Sequence, residues 1–315
     1  METLKLITAS DLEAKNIPPA NWAIEGFIPE GLTILAGAPK SGKSIFALNL
    51  ALALSSDAEI IGKKSKTIKN VLYLPYEDSE RRLQNRIKKM KEGLLIKNEP
   101  KTFFPNDCNP PKIDIEDLNN IGILIKENNI DIIIIDTLGS SIKNAIKKTL
   151  RSYMDEYELL NTFQRFALNN KISLILLHHT RKAKAKGNNF FDEISGTRGI
   201  TGSADANFIL EKNKIQSKLT IQGRDLEDLE FGLEFDPTYL IWKSMGIEPK
   251  VSLTPEQKSI IAVFNNDPEK ELKPIEIAKL LNKEDTNIRP TIGKLNDLGL
   301  LHQDTYGKYK LTLNN

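Results

Sequence analysis

Apolar and polar positions along the chain fall into short blocks separated by longer amphipathic stretches. Compact apolar runs lie at residues 32–36 (LTILA), 70–75 (NVLYLP), 131–136 (DIIIID) and 172–178 (ISLILLH). Each predicts a strand. The unbroken β-branched run Ile132, Ile133, Ile134, Ile135 predicts burial on both faces, hence a parallel sheet covered by helices. A later set at residues 205–211 (DANFILE), 218–223 (KLTIQG) and 229–236 (LEFGLEFD) has no long helical stretch between its members. It predicts an antiparallel or mixed extension. The expected fold class is therefore α/β, a mostly parallel central sheet flanked by helices. Residues 1–30, with Pro18, Pro19 and Pro29, read as an irregular lead-in packed on the first strand.

The pattern changes near residues 244–253 (SMGIEPKVSL), which divides a core over 1–245 from a small domain over 254–315, with 246–253 as linker. Thr254 and Pro255 form a cap and a first-turn proline, followed by Ile260, Ile261 and Phe264 on one face. A second helix starts at Lys273 and Pro274 and carries Ile277, Ala278 and Leu281. A third aligns Ile288, Ile292, Leu295 and Leu298 and stops at Gly299. The tail reads as strand, glycine turn and strand. Three short helices and a hairpin predict a winged helix-turn-helix.

Composition narrows the class. The 315 residues are 40% hydrophobic and 27% charged, ordinary for a globular protein. No apolar run approaches the ~20 residues of a membrane span, and the N-terminus is too polar for a secretory signal. One cysteine, Cys108, allows no internal disulfide, which suits a reducing compartment and a cytoplasmic location. A net charge of only +2 means that any contact with nucleic acid must come from local patches.

The chemistry begins directly after the first strand. Gly37, Ala38, Pro39, Lys40, Ser41, Gly42, Lys43 and Ser44 match G-x-x-x-x-G-K-[ST] in a strand–loop–helix context, and Ile45 continues into the helix. Glycines let the backbone N–H groups turn inward on phosphates, and the helix N-terminus adds its dipole. Lys43 should reach the β- and γ-phosphates of ATP, and Ser44 should ligate Mg²⁺. Asp136 ends its strand where a Walker B carboxylate should stand, able to accept bonds from the water ligands of the metal. No acid follows it, so the group that orients the attacking water must come from elsewhere. Glu77, at the carboxyl end of the second strand, is the candidate, favoured over Asp78 for its reach. His178 and His179 close the fourth strand. His178 is the favoured γ-phosphate sensor; the bland alternative for either is a satisfied core histidine.

Taken together, AGAPKSGKS, VLYLPYEDSERRLQNRI, IIIIDTLGS, LILLHHTRKAKAKG and ISGTRGITGSADANFILE resemble the RecA-like ATPases. The resemblance is specifically to the RepA-type branch of hexameric replicative helicases related to DnaB, and spans roughly residues 20–245. It implies that Glu77 is the catalytic base and that the loop over residues 181–196 lines a DNA channel through Arg181, Lys182, Lys184 and Lys186. A lysine-rich flexible loop can follow a phosphate backbone without reading sequence. It further implies a homo-oligomeric ring, a hexamer, on single-stranded DNA, with an arginine supplied by the neighbouring subunit. Arg198 and Arg224 are both candidates for that arginine; Gln222 replaces the lysine of the DnaB-style K-x-R pair. The appended winged helix departs from the family. Asn287, Arg289 and Lys294, with Lys308 and Lys310 on the wing, could meet duplex DNA, yet the interspersed acids suit a protein partner equally well. The leading expectation is a helicase of a plasmid, phage or mobile element. The alternative is an ATP-switched DNA-binding regulator or loader without unwinding activity.

Overall fold

Ile132, Ile133, Ile134 and Ile135 are each at most 1% exposed. They divide by parity: Ile132 and Ile134 enter one apolar cluster, Ile133 and Ile135 another. That is the alternation of a strand sandwiched between two layers. The computed structural model describes residues 6–114, 116–143, 153–179, 202–212, 217–247, 255–264, 270–297, 301–303 and 307–311. The chain separates into two units, Met1–Glu248 and Pro249–Asn315.

The first unit runs α1 (Ala9–Glu13), β1 (Trp22–Ile24), β2 (Ile28–Pro29), β3 (Gly31–Gly37), α2 (Lys43–Leu54), β4 (Val71–Pro75), α3 (Glu80–Gly93), β5 (Thr102–Phe103), α4 (Asp117–Asn128) and β6 (Ile132–Asp136). It continues with α5 (Leu138–Ser141), α6 (Tyr153–Asn170), β7 (Ser173–His179), β8 (Ala206–Lys212), β9 (Ser217–Gly223), β10 (Leu229–Asp236) and β11 (Ile241–Ile247). The main sheet has the order β11-β10-β9-β8-β3-β7-β6-β4-β5. From β8 to β5 neighbouring strands are parallel; β9, β10 and β11 extend the sheet antiparallel. β7 intervenes between the strand that feeds the glycine loop and the strand that ends at Asp136. This is the expected mixed, mostly parallel sheet flanked by helices.

Four strands, β1, β2, β5 and β11, were not expected from the pattern. The lead-in contains the paired strands β1 and β2. β11 turns back on β10 over a stretch whose Lys243, Ser244 and Gly246 blur its alternation.

α2 is buried almost all round, from Phe46 through Leu54, as its nearly unbroken apolar sequence requires. One side meets the sheet. On another, Asn49, fully buried, stitches the helix to β11: its Nδ2 donates to Leu240 O at 3.0 Å and its Oδ1 accepts from Trp242 N at 2.9 Å. α3 is amphipathic, burying Leu83 and Met90 while Arg81, Arg82, Lys88 and Lys89 face out.

In the second unit the described residues form α7 (Pro255–Ala262), α8 (Pro274–Leu280), α9 (Asp285–Asp297), β12 (Leu301–Gln303) and β13 (Tyr309–Leu311). β12 and β13 pair antiparallel, and Leu272 adds a bridge to Tyr309. Ile260, Phe264, Ile277, Ile288, Ile292 and Leu295 make its core. These are the apolar positions that the three helical periodicities single out.

Candidate nucleotide site

In a parallel sheet every strand delivers its carboxyl end to the same edge, where open α/β sheets bind ligands. Here that edge collects Gly37 from β3, Glu77 just past β4, Asp136 from β6, His179 from β7 and Lys212 from β8. A cavity of 330 Å³ lies among Lys40, Gly42, Lys43, Ser44, Ile45, Glu77, Arg86, His179, Lys212, Phe235 and Trp242. A separate apolar cleft of 390 Å³, bordered by Leu72, Tyr76, Phe103 and Leu124 at the β5 edge, holds none of this chemistry.

The loop needs its glycines for space as well as for backbone freedom. Gly42 sits at φ +98°, a conformation that L side chains rarely adopt, and a Cβ there would come within 2.8 Å of the Trp242 ring. A Cβ on Gly37 would meet Leu210 O at 2.5 Å. Lys43 points back over the loop, donating to Gly37 O at 2.8 Å and Ala38 O at 3.0 Å, with His179 Nδ1 3.2 Å away. Burial lowers its pKa to about 8, opposed by the charges of Asp136 and Glu77. Among the described residues the buried Ser41 Oγ has no hydrogen-bond partner. An orphaned hydroxyl and a desolvated ammonium in one loop fit a polyanion, whose oxygens would satisfy both.

Ser44 Oγ donates to Asp136 Oδ1 at 3.1 Å, and Tyr73 OH donates to Asp136 Oδ2 at 2.8 Å. Burial pushes the Asp136 carboxyl up to about 6, against the lowering effect of the Tyr73 and Ser44 hydrogen bonds. A hydroxyl beside a desolvated carboxylate is an oxygen donor set for a hard divalent cation such as Mg²⁺.

Glu77 is held differently. Its Oε1 accepts from Thr137 Oγ1 at 2.7 Å and from Ser140 Oγ at 2.6 Å, while Oε2 stands 3.8 Å from His179 Nε2. Burial raises its pKa, but the Ser140 and Thr137 hydroxyls, with His179 and Lys43, outweigh it, and the net shift is downward. Asp78 is engaged elsewhere, its side chain only 7% exposed between Arg82 at 2.6 Å and Arg86. Arg82 also donates to Glu77 O at 3.1 Å, which ties the start of α3 to the turn carrying the glutamate.

The two histidines separate by strand parity. His179 lies on the α2 face, touching Lys43 and near Glu77. Burial lowers its pKa, and the Lys43 charge lowers it further. His178, favoured from the sequence, is one residue out of phase. Successive side chains alternate, so it falls on the opposite face with Leu174 and Leu176, which pack in the other cluster against α5 and α6. The geometry brings His179, not His178, to Lys43.

Arg224 sits at the far end of the sheet. It donates to Gly202 O at 3.0 Å and lies 3.5 Å from Asp205, whose carboxylate accepts from Leu32 N near the start of β3. With β3 spanning Gly31–Gly37, that is about 20 Å from its own loop. Arg181, Lys182, Lys184, Lys186 and Arg198 lie outside the described residues. Sequence reasoning missed Thr137 and Ser140, although the hydroxyl-rich stretch DTLGSS after the strand advertised them. It also missed Lys212 at the end of β8, and Phe235 and Trp242, which β10 and the unexpected β11 carry into the cavity.

The loop, Lys43 and the Ser44–Asp136 pair at this edge fit a polyphosphate, the site of a nucleotide-binding P-loop ATPase. Residues 2–185, more than half of the 315, match the family of the AAA domain, and the chain belongs to that family. No curated protein matches it. Among solved structures it is similar to the crystal structure of the RadB recombinase, with a TM-score of 0.47 and 15% identity over 70% of this chain and 93% of that one. Among the described residues no helix is long and apolar enough to cross a membrane.

Proposed function

We propose that this protein is a Mg²⁺-dependent ATPase motor that assembles as a homo-oligomeric ring on single-stranded DNA, a replicative helicase of a plasmid, phage or mobile element. The observation that carries the hydrolytic part is the convergence of Lys43, the Ser44–Asp136 pair and Glu77 on one cavity. Gly37 to Ser44 cradle the phosphates, and Lys43 leaves the loop carbonyls to meet the β- and γ-oxygens. Ser44 and Asp136 hold the Mg²⁺ site. A bound Mg²⁺ would supply charge neutralisation of the phosphate oxygens.

Glu77 is the group that orients the attacking water. Its Oε1 is occupied by two hydroxyl donors, which leaves Oε2 to accept the water proton. Asp78, committed to two arginines, is poorly placed for that role. The sensing role expected of His178 falls to His179, which contacts Lys43 and approaches Glu77. Loss of the terminal phosphate would alter both contacts and would be felt at the end of β7, where residues 181–196 begin.

The ring and the DNA channel rest on the sequence resemblance. Arg181, Lys182, Lys184 and Lys186 would follow the strand, and Arg198 or Arg224 would complete a neighbour's site. Arg224 can serve only a neighbour, being at the wrong end of the sheet for its own loop. In the second unit Arg289 is engaged by Asp285, Lys283 by Glu256 and Lys308 by Glu271. Arg289 and Lys308, two of the five candidate DNA contacts, are thereby engaged, which favours a protein-docking role for this winged helix. The deciding experiment is ATP hydrolysis with and without single-stranded DNA, paired with unwinding of a forked duplex. Stimulation and unwinding are expected. Hydrolysis indifferent to strands, with no unwinding, would replace the motor by an ATP-switched regulator.

A further inference from the structure

The proposed chemistry uses only one flank of the cavity. Glu77 and His179 come from strands on the β7 side of β3, whereas Lys212, Phe235 and Trp242 come from strands on its β8 side. A triphosphate lying along the loop with its terminal group at Glu77 must send its sugar and base toward that second flank. This orientation rests on the function proposed above.

The second flank is built as a stacking surface. Trp242 is 2% exposed and rests on the loop itself, its Nε1 3.4 Å from Gly42 O, while Asn49 fixes its backbone N–H. Phe235 leans on Trp242 with ring centroids 5.0 Å apart and planes at 51°. The indole therefore backs the phenyl ring, which is itself only half-buried. Lys212 Nζ stands over the Phe235 ring at 5.1 Å from its centroid. An exposed ammonium holds such a ring weakly and is strongly hydrated, so a flat heteroaromatic base can displace it. Asn49, the nearby amide, has both ends committed to β11. Among the described residues that line the cavity, this flank thus offers an aromatic face and an exposed cation, and no side-chain acceptor or amide.

We propose that the β10–β11 hairpin is the nucleoside platform of the site: the base of a nucleoside triphosphate stacks on Phe235, and Lys212 swings off the ring to cover the base or the phosphates. Recognition is by stacking area, so the platform takes purine nucleoside triphosphates with little distinction between adenine and guanine, and prefers them to pyrimidines. This also explains why Gly42 must lack a side chain. A Cβ there would displace Trp242 and with it the support of Phe235.

The test is equilibrium binding of ATP, GTP, CTP and inorganic tripolyphosphate, each with Mg²⁺, to the full chain and to Phe235→Ala and Phe235→Trp. ATP and GTP are expected to bind within about threefold of each other, and both about tenfold or more tighter than tripolyphosphate, the contribution of one base–aromatic stack. Phe235→Ala should cost ATP and GTP about tenfold and leave tripolyphosphate unchanged, which also proves the variant's loop intact; Phe235→Trp should restore the loss. Equal affinities of ATP and tripolyphosphate for the unaltered protein, or an Ala variant that keeps its preference for ATP, would overturn the platform while leaving the ATPase reading standing. Strong discrimination of ATP from GTP would overturn the stacking-only recognition. Binding of neither ATP nor tripolyphosphate would overturn the ATPase reading and the platform with it.

Discussion

Asn49→Ala is the perturbation that most sharply tests how the nucleotide loop is braced. The residue is fully buried in α2, and its amide satisfies Leu240 O and Trp242 N on either side of the turn into β11. Alanine keeps the helix but strands one part-buried carbonyl and one buried N–H. Each stranded group costs about 1–3 kcal/mol, so the pair should cost about 2–4 kcal/mol after partial relaxation. For a unit of this size the midpoint should fall by roughly 4–16 °C. Both tryptophans, Trp22 and Trp242, belong to the first unit, so intrinsic fluorescence during thermal or urea unfolding reports on that unit alone. Asn128→Ala is the control: its amide donates to Leu124 O on the exposed side of α4, and the change should stay within about 0.5 kcal/mol. A loss below about 1 kcal/mol for Asn49→Ala would refute the claim that these two bonds hold the hairpin against the loop helix.

His179→Ala should lower kcat about 10²-fold with little change in ATP affinity, whereas His178→Ala should leave kcat within about threefold; steady-state ATPase assays decide, and the reverse ranking would restore the sequence-based assignment. Glu77 is held below its ordinary value by hydroxyl donors that overcome burial, and a general base works only when ionised. Removing those donors with Thr137→Val and Ser140→Ala must raise the Glu77 pKa and move the acid limb of the kcat/KM–pH profile upward. An unmoved limb would separate that limb from Glu77.

The sheet was legible because its strands are apolar on both faces: Ile132 to Ile135 and the run into His178 admit few other readings. The phosphate loop was legible because its glycines and lysine are consecutive. β11 escaped because Lys243, Ser244 and Gly246 interrupt its apolar pattern, and only pairing with β10 and the grip of Asn49 make it a strand. With it escaped the aromatic flank, which depends on residues about 200 positions from the loop being folded back onto Gly42. The choice between His178 and His179 is illegible in the sequence for a different reason. Adjacent residues on a strand face opposite ways, and which way depends on register against β3, where His179 pairs with Gly37 and His178 with Ala36. For Glu77 and Asp78, ranked in the sequence by reach alone, the structure adds a contact the pattern does not carry: α3 supplies two arginines that engage the aspartate.

The central claim is that Glu77 activates the water while the loop and its metal pair hold the nucleotide. Single-turnover hydrolysis by Glu77→Gln, measured alongside its ATP affinity, addresses it most directly. The account predicts affinity within about threefold of the unaltered protein and a hydrolysis rate reduced about 10³-fold. A Gln variant that turns ATP over at the unaltered rate would contradict it.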